Sequence, residues 1–307
     1  MITDPEALSR SIIEGHRRAI ARAISKIENN DPDTRIILDT VYKHVGSTHR
    51  IGITGPPGVG KSTITSQMIK AFRKEGKKVG IIAVDPSSPF TGGAILGDRI
   101  RMQDAFTDPD VFIRSMATRG SLGGLARQAG EAADVLAASG KDIVILETVG
   151  VGQVELDIMD AADTIIVLTV PDMGDVIQGM KAGLMEIGDI FVVNKADLEG
   201  AERTKTDLQF VLELKGQSGD RKQNVILVDA RKGQGMDILL KEIKEHRRFL
   251  EDQGLFEAKR RKRKIQRVKV LIGEHLDREF WNEKRVELLN SLVDDRSPYE
   301  IAEKILK

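Results

Sequence analysis

The sequence of 307 residues predicts an α/β fold in which a mostly parallel sheet is flanked by helical extensions at both ends. Two observations predict this fold. From residue 49 to about residue 245, short β-branched runs alternate with segments of helical periodicity. Several of these runs are apolar on consecutive residues, which is typical of strands that are buried on both faces of a parallel sheet.

Residues 1–48 are predicted to form an N-terminal helical extension. Apolar residues recur at three- and four-residue spacing from Ala7 to Ile27. The polar segment at residues 29–33, which contains Pro32, interrupts this pattern, and a second helix is predicted to follow it.

Residues 49–245 are predicted to form the α/β domain and residues 246–307 a C-terminal helical arm, because the apolar spacing there is helical and no convincing strand is present. A basic run at residues 259–264 fits either the solvated face of a long helix or a surface for an acidic partner. The predicted strands are residues 50–54, 78–84, 111–114, 142–146, 163–170, 189–193 and 224–228.

The composition excludes several classes of protein. Lys plus Arg and Asp plus Glu both number 47, and this neutral total argues against a chain bound mainly to nucleic acid or to an anionic membrane. The absence of cysteine excludes disulfides, thiolate metal sites and cysteine nucleophiles. No apolar run reaches the ~20 residues of a membrane span, and no signal segment is apparent, so a cytoplasmic location is expected. Surface or capping positions are expected for all five histidines, which are His16, His44, His49, His246 and His275.

A glycine-rich segment matches the phosphate-binding pattern G-x-x-x-x-G-K-[ST] in every fixed position, between a predicted strand and a predicted helix. Its glycines allow backbone N–H groups to point at phosphate oxygens, and the helix N-terminus adds partial positive charge. Lys61 is predicted to reach the β- and γ-phosphates and Ser62 to bind Mg²⁺. The pattern therefore predicts a P-loop NTPase. The predicted nucleotide-binding residues of this loop are Gly55, Pro56, Pro57, Gly58, Val59, Gly60, Lys61, Ser62 and Thr63.

A second motif indicates which base is bound. Asn194, Lys195 and Asp197 form the pattern N-K-x-D after a predicted strand, as in P-loop GTPases. The Asp197 carboxylate would accept hydrogen bonds from the N1–H and the 2-amino group of guanine, a pair that adenine does not offer. Asn194 would brace the loop, and the stem of Lys195 would pack over the ring.

The next loop on the base side is predicted after the strand at residues 224–228, at Asp229, Ala230 and Arg231. In GTPases the backbone N–H groups of this loop reach the O6 atom of guanine. Asp229 stands where serine is usual, so the role of its side chain stays open while the backbone role is expected.

Three acidic residues, Asp85, Asp98 and Glu147, stand where a metal or a switch would need them. Mg²⁺ prefers oxygen ligands and usually keeps waters, so the three cannot all be direct ligands beside Ser62 and phosphate oxygens. Glu147 and Gly150 occupy the place of the more usual D-x-x-G, in which the glycine N–H can sense the γ-phosphate. No residue that positions the attacking water is identified, and slow hydrolysis raised by a partner is expected. The predicted catalytic residues are Lys61, Glu147, Asp98 and Gly150, and the predicted metal ligands are Ser62, Asp85, Asp98 and Glu147.

These motifs together resemble the MeaB/ArgK group of P-loop GTPases, whose mitochondrial counterpart is the protein of methylmalonic aciduria type A. The matching segments span most of the predicted GTPase domain and are more specific than the phosphate loop alone. The sequence departs from the family pattern at Val154, where serine is frequent. The segments are residues 55–63, 84–93, 95–102, 116–124, 147–153 and 194–197.

The resemblance implies a chaperone of an adenosylcobalamin-dependent acyl-CoA mutase, with methylmalonyl-CoA mutase as the expected client. Binding and hydrolysis of GTP, with Mg²⁺, would gate delivery of cobalamin and protect the mutase. The resemblance also implies a homodimer supported by the C-terminal arm, and a cobalamin adenosyltransferase as a further partner. The family's segment that couples the nucleotide to the mutase is matched by Asp175, Gln178 and Lys181, whose spacing puts them roughly on one face of a predicted helix.

Three other functions are weighed against this one. A metallochaperone GTPase is disfavoured because the chain has no cysteine and its histidines are scattered. An ATP-dependent kinase or ATPase linked to transport, as ArgK-like proteins are sometimes labelled, is disfavoured by the N-K-x-D motif. An interaction scaffold whose nucleotide only fixes its shape would show slow hydrolysis even with the mutase present.

Overall fold

The computed structural model describes residues 4–85, 107–117, 122–148, 159–171, 182–214, 221–294 and 296–306. In these residues seven strands form one sheet, in the order β3–β2–β4–β1–β5–β6–β7, and every pairing is parallel. The predicted α/β fold is confirmed. The strands are β1 (His49–Thr54), β2 (Val79–Asp85), β3 (Val111–Ala117), β4 (Ile143–Glu147), β5 (Thr164–Thr169), β6 (Ile190–Asn194) and β7 (Val225–Val228).

Helices cover both faces of this sheet, which explains why the strands are apolar on consecutive residues. Helices α4 (Lys61–Lys74) and α8 (Met236–Asp252) pack on one face. Helices α5 (Leu122–Ala138), α6 (Ala182–Ile187) and α7 (Ala201–Leu214) pack on the other. The apolar side chains of β1, β4, β5 and β6 are buried along their whole length. None of the helices in the described part of the chain combines the length and the apolarity that crossing a membrane requires.

The N-terminal residues form three helices rather than the two that the periodicity predicts. They are α1 (Pro5–Ile13), α2 (Arg17–Glu28) and α3 (Thr34–Tyr42), and their apolar faces join the same core as α5. Gly15 divides the long periodic run, because its φ of +81° ends α1 in a left-handed turn. The N–H groups of Gly15 and His16 donate to the carbonyls of Ile12 and Ser11, which satisfies the end of the helix.

The expectation that every histidine lies at the surface or caps a helix is wrong for His49 and His246. His49 is the first residue of β1 and His246 lies in α8, and both are buried. Each places a ring nitrogen next to the Thr164 hydroxyl oxygen, at 2.7 Å and 2.8 Å. The other ring nitrogen of His246 lies 3.4 Å from a carboxylate oxygen of Asp189. These polar contacts connect α8 to the amino ends of β1 and β5.

The chain separates into two compact units, Met1–Gln253 and Gly254–Lys307. The second unit consists of helices α9 (Leu255–Phe280), α10 (Glu283–Leu292) and α11 (Pro298–Leu306). The basic run at residues 259–264 lies within α9. The sequence-based boundary between residues 245 and 246 falls inside α8, whereas α1–α3 share the core of the first unit.

Candidate functional site

The glycine-rich loop leaves the carboxyl end of β1 and leads directly into α4, because Lys61 is the first residue of that helix. Two of its glycines are required by close approach. A Cβ on Gly55 would lie 2.3 Å from the carbonyl oxygen of Leu168, and one on Gly60 would lie 2.4 Å from Nδ2 of Asn194. Both residues also have positive φ angles, of +141° and +93°, as does Gly58 at +79°. The loop therefore packs closely against Leu168 of β5 and Asn194 of β6.

The ammonium group of Lys61 is held by this loop. Its Nζ donates to the carbonyl oxygens of Gly55 and Pro56, at 2.7 Å and 3.0 Å. Lys61 is 8% exposed, so the charge lies at the mouth of the loop rather than in bulk water. This arrangement places a positive charge beside the loop that the sequence predicts to bind phosphates.

Glu147, the last residue of β4, faces two hydroxyl groups of α4. The hydroxyls of Ser62 and Thr65 donate to its two carboxylate oxygens, each at 2.7 Å. Glu147 is 3% exposed, so these contacts compensate for much of the loss of water around the carboxylate. The structure thus brings together two of the four predicted metal ligands. Sequence reasoning missed Thr65, because a threonine inside a helix carries no motif.

Asn194, at the carboxyl end of β6, connects the phosphate loop with the loop that follows β7. Its Nδ2 donates to the carbonyl oxygen of Val59 at 2.7 Å, and its Oδ1 accepts from the N–H of Ala230 at 3.2 Å. Asn194 is 3% exposed and Ala230 is 2% exposed. One side chain therefore fixes the spacing between the loop predicted for phosphates and the loop predicted for the base.

The rest of the N-K-x-D segment faces outward. Lys195 adopts a left-handed conformation, with a φ of +56°, and is partly exposed. The turn is held because the N–H of Ala196 donates to the carbonyl of Val228 and the N–H of Leu198 to that of Lys195. Asp197 is exposed at the carboxyl edge of the sheet, just after β6, where its carboxylate is accessible to a ligand.

The loop at residues 229–231 is organised by the side chain of Asp229, where GTPases usually have serine. Its Oδ1 accepts from the N–H groups of Arg231 and Lys232, at 3.0 Å and 3.2 Å. Burial acts to raise the pKa of Asp229, but the hydrogen bonds from Lys232 and Arg231 outweigh it, and the pKa lies below its ordinary value. The carboxylate therefore caps this turn as an anion.

Asp85 is the last residue of β2. It lies at the same carboxyl edge of the sheet as Glu147, because Ala83, two residues before Asp85, pairs with Glu147. Pro56, Pro57, Val59 and Thr63 follow the course of the phosphate loop into α4, with the side chain of Val59 fully buried. The remaining predicted site residues lie outside the described part of the chain. They are Asp98, Gly150, Asp175, Gln178 and Lys181.

Relatives of this chain include proteins that are named GTPases. The protein called "Putative GTPase PH0274" from Pyrococcus horikoshii is 50% identical over 271 residues, which cover 87% of this chain and 86% of the relative. GTPase ArgK of Escherichia coli is 43% identical over 192 residues, covering 61% of this chain and 58% of ArgK. The methylmalonic aciduria type A homolog of Caenorhabditis elegans, a mitochondrial protein, is 39% identical over 226 residues, covering 68% and 57%.

A solved structure and a family model agree with these relatives. The crystal structure of an LAO/AO transport system kinase has a TM-score of 0.76 and 26% sequence identity, and the match covers 99% of this chain and 98% of that one. The model of the family "Methylmalonyl Co-A mutase-associated GTPase MeaB" matches residues 20–285. With its parallel sheet, its phosphate loop and this match over most of its length, the chain belongs to the MeaB family of P-loop GTPases.

Proposed function

We propose that this chain binds GTP with Mg²⁺ at the carboxyl edge of its sheet and hydrolyses it. We further propose that the hydrolysis serves as the switch of a chaperone for an adenosylcobalamin-dependent acyl-CoA mutase. The proposal of nucleotide binding rests on the contact of Asn194 with both Val59 and Ala230. This contact holds the predicted phosphate loop and the predicted base-side loop at one fixed spacing.

On the phosphate side, the N–H groups of residues 58–63 and the positive end of α4 would bind the phosphate oxygens. Lys61, held at the mouth of the loop, would turn from the carbonyls of Gly55 and Pro56 to the β- and γ-phosphates. Its charge would stabilise the oxygens that become more negative as water attacks the γ-phosphorus. The backbone N–H of Gly150 is proposed to sense that phosphate.

The chemistry of Ser62 and Glu147 fits Mg²⁺, since a hydroxyl and a carboxylate are the oxygen ligands that this ion prefers. When bound, the ion would neutralise charge on the transferring phosphoryl group. Ser62 and Glu147 are the proposed protein ligands with structural support, and Asp85 and Asp98 are proposed beside them on sequence grounds. Thr65 would keep the Glu147 carboxylate in place when Ser62 turns to the metal.

On the base side, we propose that Asp197 accepts hydrogen bonds from guanine and that the partly exposed stem of Lys195 covers the ring. The loop at residues 229–231 would offer backbone N–H groups to O6. In the described structure the N–H groups of Ala230 and Arg231 already have acceptors, in Asn194 and Asp229. We infer that at least one of them is shared with the base as a three-centre hydrogen bond.

The client is proposed from the family description, which names methylmalonyl-CoA mutase, and from the relative of Caenorhabditis elegans named for methylmalonic aciduria. Methylmalonyl-CoA mutase is the first candidate, and Asp175, Gln178 and Lys181 are the proposed coupling residues. A cobalamin adenosyltransferase is a second proposed partner, which would supply the cofactor that the mutase receives.

This proposal predicts that a purified adenosylcobalamin-dependent acyl-CoA mutase from the same organism raises the rate of GTP hydrolysis by about tenfold or more. The measurement is phosphate release by the full chain with and without the mutase, together with co-elution from a size-exclusion column. An unrelated CoA-dependent enzyme serves as the control. If the mutase neither accelerates hydrolysis nor co-elutes, the chain remains a guanine-nucleotide switch and the client assignment fails.

The C-terminal unit is proposed to support a homodimer. Helix α9 carries a stripe of apolar side chains between 46% and 59% exposed, at a spacing of three and four residues. Such a stripe indicates an unfilled packing surface, and a second copy would cover it. The stripe consists of Ile265, Val268, Ile272 and Leu276.

The homodimer predicts that light scattering finds twice the mass of one chain at micromolar concentration. The double substitution Ile272→Glu and Leu276→Glu should give a single chain, because a buried carboxylate without a partner is costly. Gln266→Glu, on an exposed position of the same helix, should leave the mass unchanged. A wild-type monomer, or a double variant that stays dimeric, would contradict this use of the stripe.

An ATP-dependent kinase linked to transport is the second candidate, favoured by the name of the similar crystal structure. The two functions differ in the base that the site selects. Competition of GTP and ATP for the full chain separates them, since the N-K-x-D segment predicts a strong preference for GTP.

A further inference from the structure

Two peptide groups flank Ala230, and each N–H and each carbonyl of these two groups forms a hydrogen bond. The peptide between residues 229 and 230 has its N–H bound to Asn194 Oδ1 and its carbonyl bound to the N–H of Gln234, at 3.2 Å and 3.1 Å. The next peptide has its N–H, that of Arg231, bound to Asp229. Its carbonyl, that of Ala230, accepts from Nε2 of Gln67 at 3.0 Å.

Gln67 differs from the other three partners because it comes from α4, the helix that begins at the phosphate loop. The contact therefore crosses from the element that carries Lys61 to the loop that follows β7. Together with Asn194 and Val59 it closes a circuit of hydrogen bonds between the phosphate loop, β6, the loop after β7 and α4. Neither the phosphate motif nor the N-K-x-D motif includes this glutamine.

We propose that Gln67 is a positioning residue for guanine recognition, a proposal that rests on the guanine-binding function above. In a trans peptide the carbonyl and the following N–H point in opposite directions, so holding the Ala230 carbonyl also fixes the direction of the Arg231 N–H. Without Gln67, the Ala230 carbonyl would be left in a buried position without its hydrogen-bond donor, and the peptide would turn toward water. The N–H groups of the loop would then move away from O6.

The proposal predicts that Gln67→Leu weakens GDP binding by about tenfold, as expected for one misplaced hydrogen-bonding loop. It leaves the binding of 2-aminopurine riboside 5′-diphosphate within about twofold of the wild-type value, because that nucleotide has no O6 for the loop to contact. This nucleotide also lacks the N1–H group that would donate to Asp197, so the wild-type chain and the variant should both bind it more weakly than the wild-type chain binds GDP. Both dissociation constants are measured on the full chain by fluorescence titration. A purely structural role would weaken both nucleotides alike.

Gln209→Leu is the matched control, since Gln209 also donates from a helix to a backbone carbonyl, that of Gln223 at 3.3 Å, away from the site. Gln67→Met, which keeps the length of the side chain, replaces the leucine variant if that one does not fold. Equal weakening of both nucleotides, or unchanged GDP binding, overturns the role of Gln67. A wild-type chain that binds ADP as tightly as GDP instead overturns the guanine-binding function itself, whatever the variants show.

Discussion

Replacing Lys61 with alanine is expected to slow GTP hydrolysis by about a thousandfold. The ammonium group is the part of the side chain that would contact the transferred phosphoryl group, and alanine carries no charge to replace it. In the described structure its Nζ donates to the carbonyls of Gly55 and Pro56 in its own loop, and Pro56 is partly exposed to solvent. We therefore expect Lys61→Ala to fold.

The measurement is single-turnover hydrolysis with saturating nucleotide, which separates a slower chemical step from weaker binding. Lys74→Ala is the matched control, because Lys74 ends the same helix and is exposed. Thermal unfolding of both variants checks that the fold is kept. Hydrolysis by Lys61→Ala within about threefold of the wild-type rate would contradict the catalytic role and, with it, the phosphate orientation that we propose.

Replacing Asp197 with asparagine is expected to weaken GTP binding by about a thousandfold and to improve binding of xanthosine triphosphate. The carboxylate would accept two hydrogen bonds from guanine, each worth about 2 kcal/mol because the acceptor is charged. Asparagine can accept one of these bonds, so the loss of the other accounts for about thirtyfold. Its N–H₂ group would face the amino group of guanine, and these two opposed donors, each without an acceptor, cost about as much again. Xanthine has a carbonyl at that position and fits the amide.

Dissociation constants for GTP and for xanthosine triphosphate test this change of base preference. The ratio of the two constants is more informative than either alone. Because Asp197 is exposed, the substitution should not disturb the core. Glu199→Gln, which removes a charge from an exposed residue of the same turn, should leave the ratio unchanged. An unaltered preference for GTP over the xanthosine nucleotide in Asp197→Asn would rule out the proposed recognition of the base.

Some features of the site depend on short stretches of chain, and these the sequence predicts well. The strand–loop–helix at residues 50–74 is one, because the positive φ angles that its glycines permit and its run of β-branched residues are properties of contiguous chain. The seven strands are another, since consecutive apolar residues suit only a position between two layers of helices. The break at Gly15 is of the same local kind, but it was hidden because the apolar period continues across it.

Other features join residues that lie far apart in sequence, and only the tertiary structure reveals them. Thr65 meets Glu147 across 82 positions, and Gln67 meets Ala230 across 163. Each of these residues is unremarkable in its own segment. They meet because parallel pairing brings the carboxyl ends of β1, β4, β6 and β7 to one edge of the sheet, with α4 packed beneath them.

The same reason explains the buried histidines. His49 and His246 are separated by most of the chain, and only the packing of α8 against β1 and β5 brings both rings to the hydroxyl of Thr164. The sequence by itself thus determined the fold class, the phosphate loop and the base motif, because each is a property of contiguous residues. The tertiary structure decided which polar groups share a hydrogen bond, because burial requires each to have a partner but leaves that partner's place in the sequence open.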